Sequence, residues 1–295
     1  MLSMRAGAVA LVVSGLFAGT AVAADIFVEP ELAPEERIEE GWKVAITPRF
    51  WYFWETDAYF QVDNIGFQQS NETIDVPFAG GSISVTPPGL NGTTFSLTGL
   101  YGEGDGQVNA AFMARPGFPG GGFYRADVEM SRLDIEGIAQ IPIAEGLTGI
   151  LGARYIRFDR DEAGRFFDPA GVLGAAGNFF IDQDFYLGEL GFGVTRPANT
   201  DGSLLFFGNL TTMVGYVDAS DTSGDFGVFN VSTDDLDGGV IGIDTNAGAG
   251  LRLSENLLLS ARYRLFYLSN PDFVFDEGGT FIHGPEANLT ISFGG

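Results

Sequence analysis

Eleven charged side chains occupy alternating positions of runs that read as β-strands, so each falls on one face of its strand. They are Arg49, Arg132, Asp134, Glu136, Arg154, Glu189, Asp244, Arg252, Arg262, Arg264 and Glu286. All the positive residues in this set are arginines, and the planar guanidinium of arginine suits paired hydrogen bonds to carboxylates. The set predicts an ion-paired interior that satisfies its own charges. The alternative is a lining that selects ions in a narrow polar pore.

The single histidine, His283, is the one candidate for a catalytic base. A hydrolytic site would need a histidine with serine or aspartate partners, yet no serine lies two residues on and Glu286 is the nearest acid. We therefore interpret His283 as a surface residue and expect no enzyme activity.

Other cofactor and metal chemistry is not expected. The chain has no cysteine, which excludes a disulfide framework, a thiolate nucleophile and a thiolate metal site. The aspartates of residues 217–238 lack the spacing around a turn glycine that a calcium loop requires, so a solvated acidic loop is the favoured interpretation.

Composition excludes one class of partner and favours one fold class. The net charge is −24, with 39 acidic and 15 basic residues, so phosphate neutralisation and nucleic-acid binding are not expected. The 43 glycines, 27 phenylalanines and 9 tyrosines favour strands over helices. An all-β fold follows.

The beginning of the chain has the pattern of an export signal. A short basic stretch, an apolar run and Ala-Val-Ala at 21–23 predict a signal peptide at residues 1–23. Residues 24–41 are acidic and proline-bearing, which predicts a periplasmic arm. No apolar run is long enough for a helical span, so any membrane insertion must use strands.

The hairpin at residues 131–159 decides between a soluble sandwich and a membrane barrel. Its first arm places Leu133 and Ile135 on one face and Arg132 and Asp134 on the other. In a transmembrane barrel the apolar face meets lipid and the charged face lines the lumen. Asp127 shares the parity of Leu133, so either a bulge resets the register or this end rises above the bilayer.

The alternation of connections supports the barrel. We predict ten strands, with eight or twelve as alternatives, at about 43–54, 95–101, 108–114, 131–141, 147–158, 186–194, 204–216, 241–252, 257–267 and 280–293, with Tyr124 as an alternative start of the fourth. The outer connections are predicted at 55–92, 115–122, 159–181, 217–238 and 269–279, and the short turns that alternate with them at 102–106, 142–146, 196–202 and 254–256. The first outer connection includes an alternating stretch at 81–86. Short inner turns and long outer loops are typical of bacterial barrels, and a sandwich gives no reason for this alternation.

At its end the chain resembles a known class. Ala287, Leu289, Ile291 and Phe293 alternate up to a terminal aromatic and resemble the assembly signal of bacterial outer-membrane β-barrels; two glycines follow, whereas those proteins usually end on the aromatic. Over residues 42–293 the sequence resembles the small, porin-like outer-membrane barrels of Gram-negative bacteria. The resemblance implies an antiparallel up-and-down transmembrane β-barrel, export through the periplasm, the barrel-assembly machinery as a partner, and the cell outer membrane as location.

Three functions remain open at this point. The first is a small porin-like channel for small solutes or ions, narrow and at best weakly cation-preferring. The second is a structural or surface-interaction barrel that acts through its long acidic outer loops without transport. The third, a rim enzyme, depends on His283. In each case we expect outer-membrane lipid to surround the barrel.

Overall fold

The computed structural model describes residues 41–56, 67–112, 120–225, 230–233, 238–269 and 279–294. The expected signal peptide, and the arm up to residue 40, lie outside these ranges. Within the described part, no helix has the length and apolar character needed to cross a membrane.

The described residues form eleven strands, ten of which close into a ring. The strands are β1 Lys43–Thr56, β2 Phe67–Thr86, β3 Thr94–Phe112, β4 Gly122–Ala144, β5 Leu147–Phe167, β6 Leu173–Pro197, β7 Leu204–Asp225, β8 Asn230–Thr233, β9 Gly238–Ser254, β10 Leu257–Ser269 and β11 Gly279–Phe293. Neighbours in the ring pair antiparallel, β9 follows β7, and β1 closes the ring on β11. The short β8 pairs with β7 outside the ring. The predicted ten-stranded antiparallel barrel is confirmed.

Two predicted boundaries are wrong, and the two errors cancel in the strand count. Most of the predicted loop 55–92 is strand β2, and the predicted turn 102–106 lies inside β3. The glycines there serve close packing instead of a turn. A Cβ on Gly102 would lie 2.4 Å from a ring carbon of Phe78, and one on Gly104 would lie 2.4 Å from the carbonyl oxygen of Asp75.

The predicted long loop 159–181 is also wrong, because β5 and β6 continue through most of it. Their connection is only residues 168–172, in which the Asp168 carboxylate accepts the backbone N–H groups of Ala170 and Val172 at 2.9 and 2.8 Å. The pairing of β3 with β4 is also continuous as far as Gly122, so no bulge resets the register at Asp127. This end of the sheet therefore rises above the bilayer.

A row of tyrosines marks where the lipid-facing surface ends. Tyr155, Tyr186 and Tyr216 lie directly opposite one another on β5, β6 and β7. Towards the short turns, the outward positions are exposed and apolar, as at Leu190 (63%) and Val214 (66%). The nine residues from Leu147 to Tyr155 agree with the roughly 9 to 11 that a tilted strand needs to cross the hydrocarbon.

Beyond the tyrosine row, the polarity of the sheet inverts. Outward positions become charged, as at Asp127 and Glu129, while inward ones such as Val128 and Met130 are buried and apolar. We call this part the outer extension. It consists of residues 67–75, 103–112, 122–131, 157–167, 173–184 and 218–225. The period-2 pattern persists there, but an aqueous surface replaces lipid, which is why sequence reasoning took the parts at 67–75, 159–181 and 218–225 for loops.

Candidate functional site: the barrel interior

The structure brings ten of the eleven predicted lining residues onto the inner face of the barrel. We call these the charged layer: Arg49, Arg132, Asp134, Glu136, Arg154, Glu189, Asp244, Arg262, Arg264 and Glu286. Alternation along each strand places them, as on β4, where Arg132 and Asp134 are buried and Ile135 is exposed. Arg252 is different, because it is exposed at the short-turn end of β9, outside the layer.

One chain of ion pairs crosses the lumen from β4 to β10. Arg132 lies 3.4 Å from Asp134, and Arg154 Nε donates to Asp134 Oδ1 at 2.7 Å. Arg154 Nη1 also donates to Asp244 Oδ2 at 2.7 Å, and Arg264 Nε donates to Asp244 Oδ1 at 2.9 Å. All five side chains are buried. Each central member has partners on both sides, so the chain fixes the two walls of the barrel relative to each other.

A second group lies around Glu286. Arg49 Nε donates to Glu286 Oε1 at 2.7 Å, and Arg262 donates to both carboxylate oxygens at 2.7 and 2.9 Å. Arg49 also donates to the Thr98 hydroxyl at 3.2 Å. The strands on either side of β10 supply the inward carboxylates expected from sequence, Asp244 on β9 and Glu286 on β11. Arg262 lies directly opposite Glu286, whereas Arg264 reaches Asp244 diagonally, because its direct partner on β9 is Asn246.

Glu189 is a buried carboxylate of this layer with one long ion-pair contact. It is buried, and its Oε1 lies 3.6 Å from Arg154 Nη1. Neither oxygen accepts a hydrogen bond from a side chain that the structure describes. The lumen-crossing group and its neighbours hold four carboxylates (Asp134, Glu136, Glu189, Asp244) against three guanidinium groups (Arg132, Arg154, Arg264). Carboxylates therefore outnumber arginines in this group, although the layer as a whole holds five of each.

An apolar plug covers the charged layer on the side of the outer extension. Every strand of the ring contributes at least one side chain that is at most 6% exposed. They are Trp51, Phe53, Ile74, Val76, Phe78, Leu100, Val128, Met130, Ile156, Phe185, Leu187, Met213, Val217, Val240, Phe266, Leu268 and Ile282. Together they form one buried apolar cluster to which all ten strands of the ring contribute.

Cation–π contacts join the two layers. The guanidinium carbons of Arg132 and Arg154 lie 4.5 and 4.7 Å from the ring centre of Phe266. That of Arg264 lies 4.6 Å from the Trp51 ring. A guanidinium accepts hydrogen bonds from nothing and donates only in its plane, so its faces pack well on aromatic rings. The plug thus shields the faces of the same arginines whose edges bind carboxylates.

The arrangement of polar and apolar faces decides the class of protein. Over the membrane-width band, apolar side chains face outward and charged ones face inward, which is stable only if lipid surrounds the barrel. The chain is a transmembrane β-barrel of the outer-membrane type. The four residues of the expected assembly signal lie on the outward face of its last strand, β11.

Similar solved structures are outer-membrane barrels. The outer-membrane protease OmpT from Escherichia coli is 10% identical, with 87% of this chain and 98% of that chain covered and a TM-score of 0.45. The translocator domain of the autotransporter NalP from Neisseria meningitidis is 10% identical, with 98% of each chain covered and a TM-score of 0.43. An outer-membrane channel from Pseudomonas putida F1 is 8% identical, with 90% and 100% covered and a TM-score of 0.29. No family model and no curated protein matches the sequence.

His283 lies on the outer surface of the barrel. Its Nδ1 is 2.6 Å from the Tyr263 hydroxyl, and its ring centre lies 5.3 Å from Phe281 and 5.7 Å from Trp54. Glu286, the acid nearest in sequence, points to the opposite face of β11. His283 is thus one more ring of an aromatic belt at the membrane boundary. The described residues include no group of three or more His, Asp or Glu that could hold a metal ion.

Sequence reasoning missed the plug and one cluster of buried polar side chains. The signal for the plug is the run from Phe50 to Trp54, in which both faces of the strand are aromatic, so lipid alone cannot account for it. The polar cluster lies in the outer extension. There the Tyr124 hydroxyl and Arg160 Nε both donate to Glu162, at 2.8 and 2.7 Å.

Proposed function

We propose that this protein is a closed barrel of the bacterial outer membrane that acts at the cell surface through its outer extension, without constitutive transport. The plug is the observation that supports this most directly, because buried side chains from every strand occupy the lumen. A ten-stranded barrel is near the size at which side chains fill the interior, whereas the open porins have 16 to 18 strands.

The orientation follows from the two ends of the barrel. The short turns around Gly146, Gly202 and Asn256 lie at the end where β1 begins and β11 ends. In bacterial barrels the short turns face the periplasm. We therefore assign the outer extension to the cell surface, and expect export with residues 1–23 as the signal.

A porin-like channel is the second candidate. One observation favours it: below the charged layer the inner faces of β11, β1, β2 and β3 carry small hydroxyl groups, such as the pair Thr47 and Thr290 at 3.0 Å, and the Arg262 side chain is 16% exposed. Such a vestibule admits water from the periplasmic end. Conduction would also require the plug side chains to move out of the lumen.

Planar-bilayer recording on the refolded protein separates the two candidates. We expect no steady single-channel steps for the wild type. The double variant Trp51→Ala, Phe266→Ala should conduct, because it removes two rings of the plug. Leu265→Ala, the outward neighbour of Phe266, is the matched control and should stay closed. Steady steps from the wild type would replace the closed-barrel proposal with the channel.

A further inference from the structure

The outward face of the outer extension is arranged in bands of different chemistry. The outward face is acidic in the third row beyond the tyrosine row, past the row that holds Arg157. Asp105, Glu129 and Asp161 lie exposed and directly opposite one another on β3, β4 and β5. Neighbouring like charges of this kind repel one another and also repel any anionic partner. This band therefore discourages acidic molecules from approaching the wall of the extension.

Above the acidic band lies a row of opposite sign. Arg125 and Arg165 face each other directly across β4 and β5, and both are exposed. Opposed like charges weaken a sheet, so the arrangement needs a compensating interaction. The contacts within the described residues are loose: Arg165 Nη1 lies 3.7 Å from Asp127, and the Arg125 guanidinium lies 5.7 Å from the Phe167 ring centre. Two guanidinium groups thus remain accessible, side by side, on an acidic protein.

The tip beyond the arginine row is apolar. Phe123, Phe167 and Leu173 form the next row of direct cross-strand neighbours. Phe123 is 44% exposed, Leu173 54%, and Val172 in the adjoining turn 62%. Two residues along a strand span about 6.6 Å, so this row begins one side-chain step from the guanidinium groups. The tip therefore offers cationic and apolar contacts within the reach of a short peptide.

We propose that this tip binds an acidic polypeptide segment that also carries apolar side chains. Arginine and aromatic residues are the types enriched at protein interfaces, and the apolar row favours a polypeptide over a sulfated or phosphorylated sugar chain. The acidic band below repels such a segment, so charge directs it to the arginine row. The inference rests on the proposed function, in which the extension is exposed at the cell surface.

The test uses the full-length barrel refolded in detergent micelles and a labelled synthetic peptide of alternating Glu and Leu. Its binding is measured by fluorescence anisotropy, beside a twin peptide in which Lys replaces Glu. We expect the acidic peptide to bind preferentially, and its affinity to fall at least tenfold in Arg125→Gln, Arg165→Gln. Leu173→Ser with Val172→Ser should also weaken binding. Arg157→Gln is the matched control, since Arg157 is an exposed arginine of the same wall paired to Asp159 at 3.0 Å, and should bind within twofold of wild type.

Equal binding of the two peptides, or an unchanged affinity in the double arginine variant, would overturn the inference. A third contrary result would be that dextran sulfate displaces the peptide and still binds to the variant Leu173→Ser, Val172→Ser. The last would mean that the tip recognises polyanionic sugar. Heat modifiability on gels shows which variants are folded. Bilayer recording is independent of this assay, so a closed barrel that fails to bind removes only the inference, and a conducting barrel that binds removes only the closed-barrel proposal.

Discussion

Arg154 donates a hydrogen bond to Asp244 at 2.7 Å although the two residues are 90 positions apart in the chain. They lie on β5 and β9, which β6 and β7 separate in the ring, so the bond crosses the lumen. Asp244 accepts from Arg264 as well. This carboxylate is consequently the point at which the two walls of the barrel are joined.

We predict that Asp244→Ala strongly destabilises the barrel. It leaves two buried guanidinium groups without their shared acceptor, and breaking a buried pair costs about 3 to 5 kcal/mol. Urea titration of the refolded protein measures the change in the free energy of unfolding. Arg252→Ala, which removes an exposed charge from the same strand, should change it by about 0.5 kcal/mol or less. Equal effects of the two substitutions would contradict a dry, paired lumen.

We predict that Glu189→Gln, unlike Asp244→Ala, does not lower the stability of the barrel. The substitution keeps the volume of the side chain and removes one carboxylate from the lumen-crossing group, in which four carboxylates lie among three arginines. A neutral amide also costs less to bury than a carboxylate that accepts no hydrogen bond from the described residues. We expect the urea midpoint to stay or rise. A loss as large as that of Asp244→Ala would show that Glu189 is an essential counterion of Arg154.

The two faces of the strands should respond differently to a new charge. The side chains of Leu190 and Leu259 are 63% and 47% exposed on the outward face. Leu190→Arg and Leu259→Arg would therefore place a guanidinium in lipid, which should lower the free energy of unfolding by about 2 to 4 kcal/mol near the midplane. Thr290→Arg, on the inner face beside Thr47, should disturb folding less because the vestibule is polar. Folding yield into lipid vesicles measures all three. Equal losses would mean that the faces are assigned wrongly.

Alanine substitutions at an inward and an outward glycine of β3 should also have different effects on stability. A Cβ on Gly102 meets the Phe78 ring, whereas one on Gly99, which faces outward, has no atom within 4 Å. Overpacking a filled interior typically costs about 1 to 3 kcal/mol. Gly102→Ala should therefore lower the urea midpoint, and Gly99→Ala should leave it nearly unchanged. If Gly102→Ala is neutral, residues 102–106 behave as the turn that the sequence predicts.

The sequence by itself determined the class of fold and the face of its strand on which each charged residue lies, whereas the strand number was right because two boundary errors cancel. Inward and outward faces follow from parity alone, and the register of a hairpin with a short turn is a local property. This is why the inward carboxylates Asp244 and Glu286 were expected on the two strands beside Arg262 and Arg264, and the structure places them there. The strand boundaries predicted around residues 102–106 were wrong because glycine is favoured both in a turn and in a strand that packs closely against a side chain such as Phe78.

Only the tertiary structure decided what fills the lumen. Closure of the ring sets which distant strands face each other, and so brings Arg154 to Asp244 and Phe266 to Arg132. The outer extension was hidden for a related reason. Alternation tells that a strand has two faces but not which solvent each face meets, and above the bilayer water replaces lipid, so the polar face turns outward and the apolar face is buried.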